Sequence, residues 1–570
     1  MVRARPNDDN SPNGITLCVR GAYGYDYIYS PERLTSPLIK VDGEFQPVSW
    51  EEALDIVANK FGKIKATHGP DSLAVLGSLK CTNEENYLLQ KFARAVLGTN
   101  NIDNGGHLYN AASRAGLGEV FGFPASTNPI DDMEQSGVIL LIGADPAVSA
   151  PLVSYAIKRA VKYKGAKLLL VNPQQTKLNA FAHLRLCPKA GTEAILINGL
   201  MRIIISEELW DQDFVAQKTE SFEVLVASLQ GYTPDYVEEI TGVPTQDLHD
   251  AARLFAGANS ASIVYGDGIA PHFNGTQAVT ALANLAMLTG NIGRKGRGIY
   301  ALQKENNGQG ASDMGCLPDF LPGYQSAENA GLTALEMVGQ AKGGKVKGMY
   351  IMGENPAVSF PDSALTEEAL SSLDFLIVQD LFLTETAKMA DVILPAASFA
   401  EKEGTFTNFE RRVQRVRQAI EPLGESLPDW QIIQRLANKM GYSMSYSSPQ
   451  EIMDEIRELV PLYQGVDYAD MEVGGVYWPK SKIDRWGTRR LYEGGFPQGS
   501  GRFSAVEHQP QVEMPEEVGA QGHAPLLYQF GSGARSSRSA RLKAMMDVDS
   551  PPFEGEVREG RSKTSNELEG

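Results

Sequence analysis

The sequence predicts an α/β protein organised as two related, doubly wound (Rossmann-like) parallel-sheet domains, and three observations carry that prediction. Short apolar runs alternate with amphipathic helical patterns through much of the chain, the order that parallel sheets require. The runs are continuous rather than alternating in polarity, as strands covered on both faces must be. One strand-to-helix turn also recurs: GADPAVSAP at 143–151 and GENPAVSFP at 353–361 agree at six of nine positions. Such turns favour Gly and Pro by themselves. Here the agreement holds in register, inside a strand–helix–strand unit each time, and before a strand that ends in Asn172 or Asp380. Two related halves explain it better than chance.

Taken in order, residues 1–14 are polar. Ser49 with Glu52 forms a capping pattern ahead of a helix that runs towards Gly69. DSLAVLGS reads as a strand, and NEENYLLQKFARAVLG as a helix stopped by Gly98. SGVILLIGADPAVSAP (136–151), VSYAIKRAVKYKG and AKLLLVNP make the first clear βαβ unit. KGMYIMGENPAVSFP (347–361), SALTEEALSSL and DFLIVQDL make the second. Beyond Gly424 a helical stretch, PDWQIIQRLANKMG, gives way to loops rich in Gly and aromatic residues up to about Gln529, and the Ser- and Arg-rich remainder predicts disorder. The expected boundaries are a first α/β domain over 51–210 plus 362–420, a second over 211–361, a peripheral segment over 421–544 and a disordered tail over 545–570.

A chain of 570 residues and 61.9 kDa has room for several domains. Its 42% hydrophobic and 21% charged residues exclude wholesale disorder. With 52 Lys and Arg against 70 Asp and Glu the net charge is −18. So acidic a surface repels phosphate backbones and argues against a nucleic-acid partner. Cys18, Cys81, Cys187 and Cys316 lie far apart and form no CxxC motif, which suits a reducing compartment. No secretory or twin-arginine signal opens the sequence, and no apolar run reaches the roughly 18 residues of a membrane helix. The expectation is a cytoplasmic protein without membrane insertion. In open parallel sheets ligands bind beyond the carboxyl ends of the strands, so two halves predict two nucleotide-like groups. Neither GxGxxG nor GxxxxGKS/T occurs, which excludes the ordinary NAD and ATP loops. Asp380 reads equally as a ribose or guanine ligand and as a helix N-cap.

Five stretches carry a family likeness: LCVRGAYGYDYIYSPERLTSPLI, LKCTNEENYLLQKFARAVLGTNNID, LANLAMLTGNIGRKGRG, NNGQGASDMGCLPDFLPGYQ and VQDLFLTETAKMADVILPAASFAEKEGTFTNFERRVQRVR. In order and spacing, from about Gly14 to about Arg541, they resemble the catalytic (alpha) subunits of molybdopterin-dependent formate dehydrogenases. The resemblance implies the molybdopterin oxidoreductase fold, with two molybdopterin guanine dinucleotides around one molybdenum or tungsten atom and one [4Fe–4S] cluster. It implies formate oxidation or CO2 reduction, with electron transfer to iron–sulfur or NAD/flavin-linked partner subunits. Dinucleotide contacts are implied for Gly143, Asp145 and Pro146, for Asn172 and Thr176, for Gly191 and Thr192, and for Gly266 and Gly268. The second half adds Asn306, Asn307 and Gln309, then Gly353, Glu354 and Asn355, and Asp380 with Thr384. Arg20 stands at the family's basic residue between cluster and pterin. Many of these glycines and asparagines also serve tight turns on their own account.

The chain departs from the family pattern as well. Cys18 in LCVRG matches the fourth cluster cysteine, and no other cysteine precedes it. One thiolate is left where four are needed, so residues 1–50 read as a remnant of the iron–sulfur domain and a [4Fe–4S] cluster is not expected from this chain alone. The family's metal-ligating selenocysteine or cysteine, followed by a catalytic histidine, lies in a segment resembling VDHCARLCHSPT; here IDNGGHLYNAAS places Tyr109 and Asn110. A phenol is a harder and less available ligand than a thiolate, and an amide cannot exchange a proton as histidine does. Gln303 stands at the substrate-facing arginine and removes its bidentate grip on a carboxylate. His107 reads as a satisfied, structural histidine. The likeness stops just inside the family's C-terminal β domain, at LLYQFGSGARSSRSARL. The expectation is a family member that is not active as an isolated chain and needs partners for the cluster ligands and the closing β-barrel domain. The alternative is a catalytically silent scaffold subunit, like the pterin-free large-subunit domains of respiratory complex I.

Overall fold

A computed structural model describes residues 4–6, 13, 16–271, 274–472, 474–483 and 485–506. The expected disordered tail and the LLYQFGSGARSSRSARL segment lie outside the described residues.

Two sheets organise the chain. The first runs Glu44–Pro47, Leu38–Val41, Val392–Pro395, Phe375–Asp380, Gly348–Met352, Leu73–Gly77 and Ile102–Asn104. The second runs Gly298–Ala301, Ala261–Tyr265, Val138–Ile142, Lys167–Val171 and Ala182–Leu186. Five strands of the first sheet and all five of the second pair in parallel, while the hairpin Leu38–Pro47 adds antiparallel at one edge. The apolar runs behave as their composition requires: every residue of Leu73–Gly77, Val138–Ile142 and Gly348–Met352 is buried. The covering helices range from one-sided to almost wholly buried, as in Gly275–Leu288. Trp50–His68, capped where Ser49 Oγ accepts from Glu52 N at 3.2 Å, buries Ala53, Leu54, Val57, Phe61 and Ile64. Among the described residues no helix is long and apolar enough to cross a membrane.

The internal duplication holds bond by bond. Gly143 N donates to Val171 O at 3.0 Å, and Gly353 N to Gln379 O at 2.8 Å. Val148 N donates to Asp145 O, and Val358 N to Asn355 O, both at 3.0 Å. Both glycines adopt positive φ, 56° and 62°, which a side chain disfavours. The strands before these turns, Val138–Ile142 and Gly348–Met352, are central in their parallel sets, and the two strand orders correspond edge to edge.

The division of the chain differs from the expected one. Residues 38–104 and 348–395 build the first sheet, and 138–186 with 261–301 the second. The segment 51–210 is therefore shared between sheets, and the whole second sheet is threaded between two strands of the first. Strand and helix keep alternating where the chain crosses over, so no local pattern marks the crossing.

Behind the first sheet, Lys402 Nζ lies 2.8 Å from Glu85 Oε2 and also bonds Asp429, all three buried. Burial alone would lower the Lys402 ammonium pKa, but Asp429 and Glu85 hold it raised. Lys402→Met strands two buried carboxyl groups and is expected to cost about 3–5 kcal/mol, read as a lower urea midpoint at unchanged slope.

Candidate functional site

Each residue implied as a dinucleotide contact, Arg20 excepted, lies just beyond the carboxyl end of a parallel strand. Gly143, Asp145 and Pro146 follow Val138–Ile142; Asn172 and Thr176 follow Lys167–Val171; Gly191 and Thr192 follow Ala182–Leu186; and Gly266 and Gly268 follow Ala261–Tyr265. Asn306, Asn307 and Gln309 follow Gly298–Ala301, while Gly353, Glu354 and Asn355 follow Gly348–Met352. Asp380 ends its strand, with Thr384 beyond it, and Tyr109 and Asn110 follow Ile102–Asn104. The two sets of strand ends meet. Asn307 N donates to Leu79 O at 3.0 Å, Asn307 Nδ2 to Cys81 O at 2.8 Å, and Asn110 Nδ2 to Gln303 Oε1 at 3.3 Å.

Most of the polar side chains shape their own loops. Asp145 Oδ1 accepts from Ala147 N at 3.2 Å, and Asn172 Oδ1 from Gln174 N at 2.9 Å. Thr176 pairs with Asn179, and Thr192 Oγ1 donates to Lys189 O at 2.6 Å. Asn355 Oδ1 accepts from Thr386 N at 3.1 Å. Asp380 Oδ1 accepts from Leu381 N at 2.6 Å and caps no helix, so the N-cap reading falls away. Gly268 N donates to Gly143 O at 2.7 Å, and a Cβ at Gly268 would stand 2.6 Å from that oxygen. Preformed loops with glycine backbones at the strand ends fit a nucleotide-bearing group. Where the resemblance implies a thiolate or selenolate metal ligand the chain holds the Tyr109 phenol, which does not fit a thiolate-ligated molybdenum or tungsten.

Charged groups surround this centre, and of these sequence reasoning passed over Lys80, Lys304 and Glu305. Lys304 Nζ stands 3.6 Å from the Tyr109 ring centroid and 3.4 Å from Asp267 Oδ2. Burial pushes the Glu354 carboxyl up to about 7, opposed by Lys80, and burial also pushes Asp380 up to about 6. Burial works against the Lys80 ammonium, yet Glu354, Glu305 and Asp380 hold its pKa raised. Glu305 sits at φ 56°. The available signals were positional: Lys304 and Glu305 directly follow Gln303, and Lys80 lies just past a strand end. His107 Nδ1 lies 3.1 Å from Asp103 Oδ1, whose other oxygen accepts from Ala334 N at 2.8 Å, a structural pairing.

Cys18 and Arg20 belong to the short helix Val19–Tyr23, where Cys18 Sγ accepts from Gly21 N at 3.5 Å and Arg20 is exposed. Among the described residues the one acid–thiol grouping spaced for a metal is Cys81, Glu85 and Asp429. Lys402 already bonds both of its carboxyl groups, and burial pushes the Cys81 thiol well up, so a cation is not required there.

Two sheets of one strand order, each turning a Gly-x-Asp/Asn-Pro loop out at a shared junction, define an α/β protein built on two related parallel sheets. Residues 33–439 match the molybdopterin oxidoreductase family, and the chain belongs to that family, in its formate dehydrogenase alpha-subunit type. It is 42% identical to the F420-dependent formate dehydrogenase subunit alpha of Methanocaldococcus jannaschii, across 97% of this chain and 84% of that protein. It is 41% identical to the F420-dependent formate dehydrogenase 2 subunit alpha of Methanococcus maripaludis, across 96% of this chain and 83% of that one. Acetylene hydratase from Pelobacter acetylenicus superposes with a TM-score of 0.71 over 87% of this chain and 73% of its own, at 23% identity, a likeness of fold alone. The family implies a molybdopterin carrying molybdenum or tungsten.

Two outcomes test this geometry. Gly268→Ala drives its Cβ against the Gly143 carbonyl and is expected to cost about 1–3 kcal/mol on chemical denaturation. A buried carboxyl raised above its ordinary range favours folding while protonated and loses that advantage as pH rises through about 7. Glu354→Gln, which cannot ionise, is therefore expected to melt about 1–3 °C above the parent at pH 8 and level with it at pH 5.

Proposed function

We propose that this chain is a molybdopterin-binding redox subunit of the formate dehydrogenase type, working in a multi-subunit cytoplasmic complex and not oxidising formate on its own. What supports the reading is the pairing of a preformed two-lobed crevice with a substituted reacting centre: Tyr109, Asn110 and Gln303. The loop Gly143–Pro146 with Asn172, and the loop Gly353–Asn355 with Asp380, each serve one molybdopterin guanine dinucleotide. That group supplies two-electron redox chemistry when bound. Converting formate to CO2 releases two electrons and a proton, so the protein must hold an anion and take up that proton. Asn110 and Gln303 are neutral amides and do neither, while Lys304 is engaged by Tyr109 and Asp267. Cys18 offers one ligand towards a [4Fe–4S] cluster, whose remaining thiolates would come from elsewhere in the complex. Iron–sulfur or flavin- and NAD-linked subunits are the proposed partners; the relatives are named as alpha subunits of F420-dependent formate dehydrogenases, which fits a chain that works with other subunits.

The test is elemental analysis of the purified full chain for molybdenum, tungsten and iron, with release of guanine nucleotide. One molybdenum or tungsten and two nucleotides per chain are expected. Absence of both overturns the proposal in favour of a silent scaffold subunit. Formate-dependent dye reduction is expected at background, also in Tyr109→Cys with Asn110→His, because Gln303 still offers no charge to a carboxylate. Activity restored by those two changes would place the whole deficit at those positions.

A further inference from the structure

A buried carboxylate sets the direction of a chain of amides that ends at the reacting centre. Asp313, fully buried, closes the helix Gly308–Asp313. Its Oδ1 accepts from Tyr324 Oη at 2.7 Å and from Gln309 Nε2 at 2.8 Å, and its Oδ2 accepts from Tyr463 Oη at 2.6 Å. An ionised carboxylate only accepts, so Gln309 turns its NH2 group to Asp313 and leaves Oε1 to accept from Gln303 Nε2 at 2.7 Å. Gln303 is thereby committed, and its Oε1 accepts from Asn110 Nδ2 at 3.3 Å. The same Nδ2 lies against backbone, since a Cβ on Gly106 or Gly308 would come within 3.4 or 3.5 Å of it. Among the described residues Asn110 makes its side-chain hydrogen bond through Nδ2, and none is seen at Oδ1. Burial pushes Asp313 up to about 6 while Tyr463, Gln309 and Tyr324 hold it down, so at pH 8 the carboxylate is ionised and the chain has one direction.

We propose that Asp313 is a positioning residue: through Gln309 and Gln303 it holds Asn110 with its carbonyl oxygen free at the reacting centre, which selects a small neutral ligand that donates a hydrogen bond over a carboxylate anion. This rests on the crevice being the cofactor and substrate site, and it names that site's substrate class. A carboxylate meets a lone pair at Asn110 where a donor is needed. A neutral N–H or O–H meets an acceptor.

Formate and formamide serve as probes, being near in size and differing in charge and in the N–H donor. Calorimetric titration of the full chain at pH 8 is expected to show formamide bound about tenfold tighter, the worth of one such hydrogen bond. Asp313→Asn keeps the volume but both donates and accepts, so the chain loses its fixed direction and the ratio falls to within about threefold. Gln309→Glu combined with Asp313→Asn restores the ratio, because the carboxylate introduced at position 309 again accepts from Gln303 and takes its other donor from the amide introduced at position 313. A merely structural Asp313 would weaken both probes alike. Formate bound as tightly as formamide by the parent chain, no binding of formamide, or an unchanged ratio in Asp313→Asn would overturn the proposal. Should the single variant not fold, the double variant against Gln309→Glu alone decides it. Lack of metal and nucleotide in the same preparation counts against the cofactor reading alone, since the probe ratio reports the amide chain independently.

Discussion

The site depends on how one buried amide ties the two sheets together. Asn307 is wholly buried, and each of its polar groups is matched to backbone. Its N–H donates to Leu79 O, its Nδ2 to Cys81 O at 2.8 Å, and its Oδ1 accepts from Thr407 N at 2.7 Å. The loop leaving the second sheet is thereby pinned to the strand end of the first and to the hairpin strand Gly404–Thr407. An unsatisfied buried amide is costly enough that the three contacts stand or fall together. Gly310 is part of the same constraint, because a Cβ there would collide with Asn307 Oδ1. With that loop fixed, Gln303 reaches Asn110 and Lys304 reaches Tyr109; without it neither pairing has a geometry.

This junction marks where sequence reasoning succeeds and where it stops. The helices after Ser49 and Thr82, the buried strands and the repeated Gly-x-Asp/Asn-Pro turn are legible because they depend on neighbours within one turn or one strand. The partition of strands between sheets is not, because it is decided by pairings between segments such as 73–77 and 348–352, far apart in the chain. Asn307 was expected as a cofactor contact, yet its polar groups are spent on the scaffold. Lys304 lies in no motif, and Asp313, although inside the stretch NNGQGASDMG, is not singled out by it. Their roles arise from what the fold brings opposite them, an aromatic ring in one case and two tyrosines with a glutamine in the other.

The acidic surface and the buried carboxyl groups pull in different directions. A chain of net charge −18 disfavours long-range attraction of phosphates. At the strand ends, however, burial raises Glu354 to about 7 and Asp380 to about 6, so both take up protons far more readily than exposed carboxylates. Lys80 remains a full charge beside them. The crevice is thus less negative than the residue count implies. Affinity for an anion there should fall as pH rises from about 6 through about 7, as Asp380 and then Glu354 ionise.

The replacements at the reacting centre form a set with a common physical direction. Relative to the family pattern, a thiolate or selenolate becomes a phenol, a histidine becomes an amide, and an arginine becomes an amide. Two changes remove a charged or chargeable group, and the third replaces a thiolate by a far less acidic phenol. The amides are not left loose: Asn110 and Gln303 join a hydrogen-bonded line that Gln309 carries to Asp313. A buried amide with no partner at all would cost about 1–3 kcal/mol. Here the neutral side chains pair with one another and with a buried carboxyl group. That pairing fixes the orientation of the substituted side chains from the buried carboxyl group outwards.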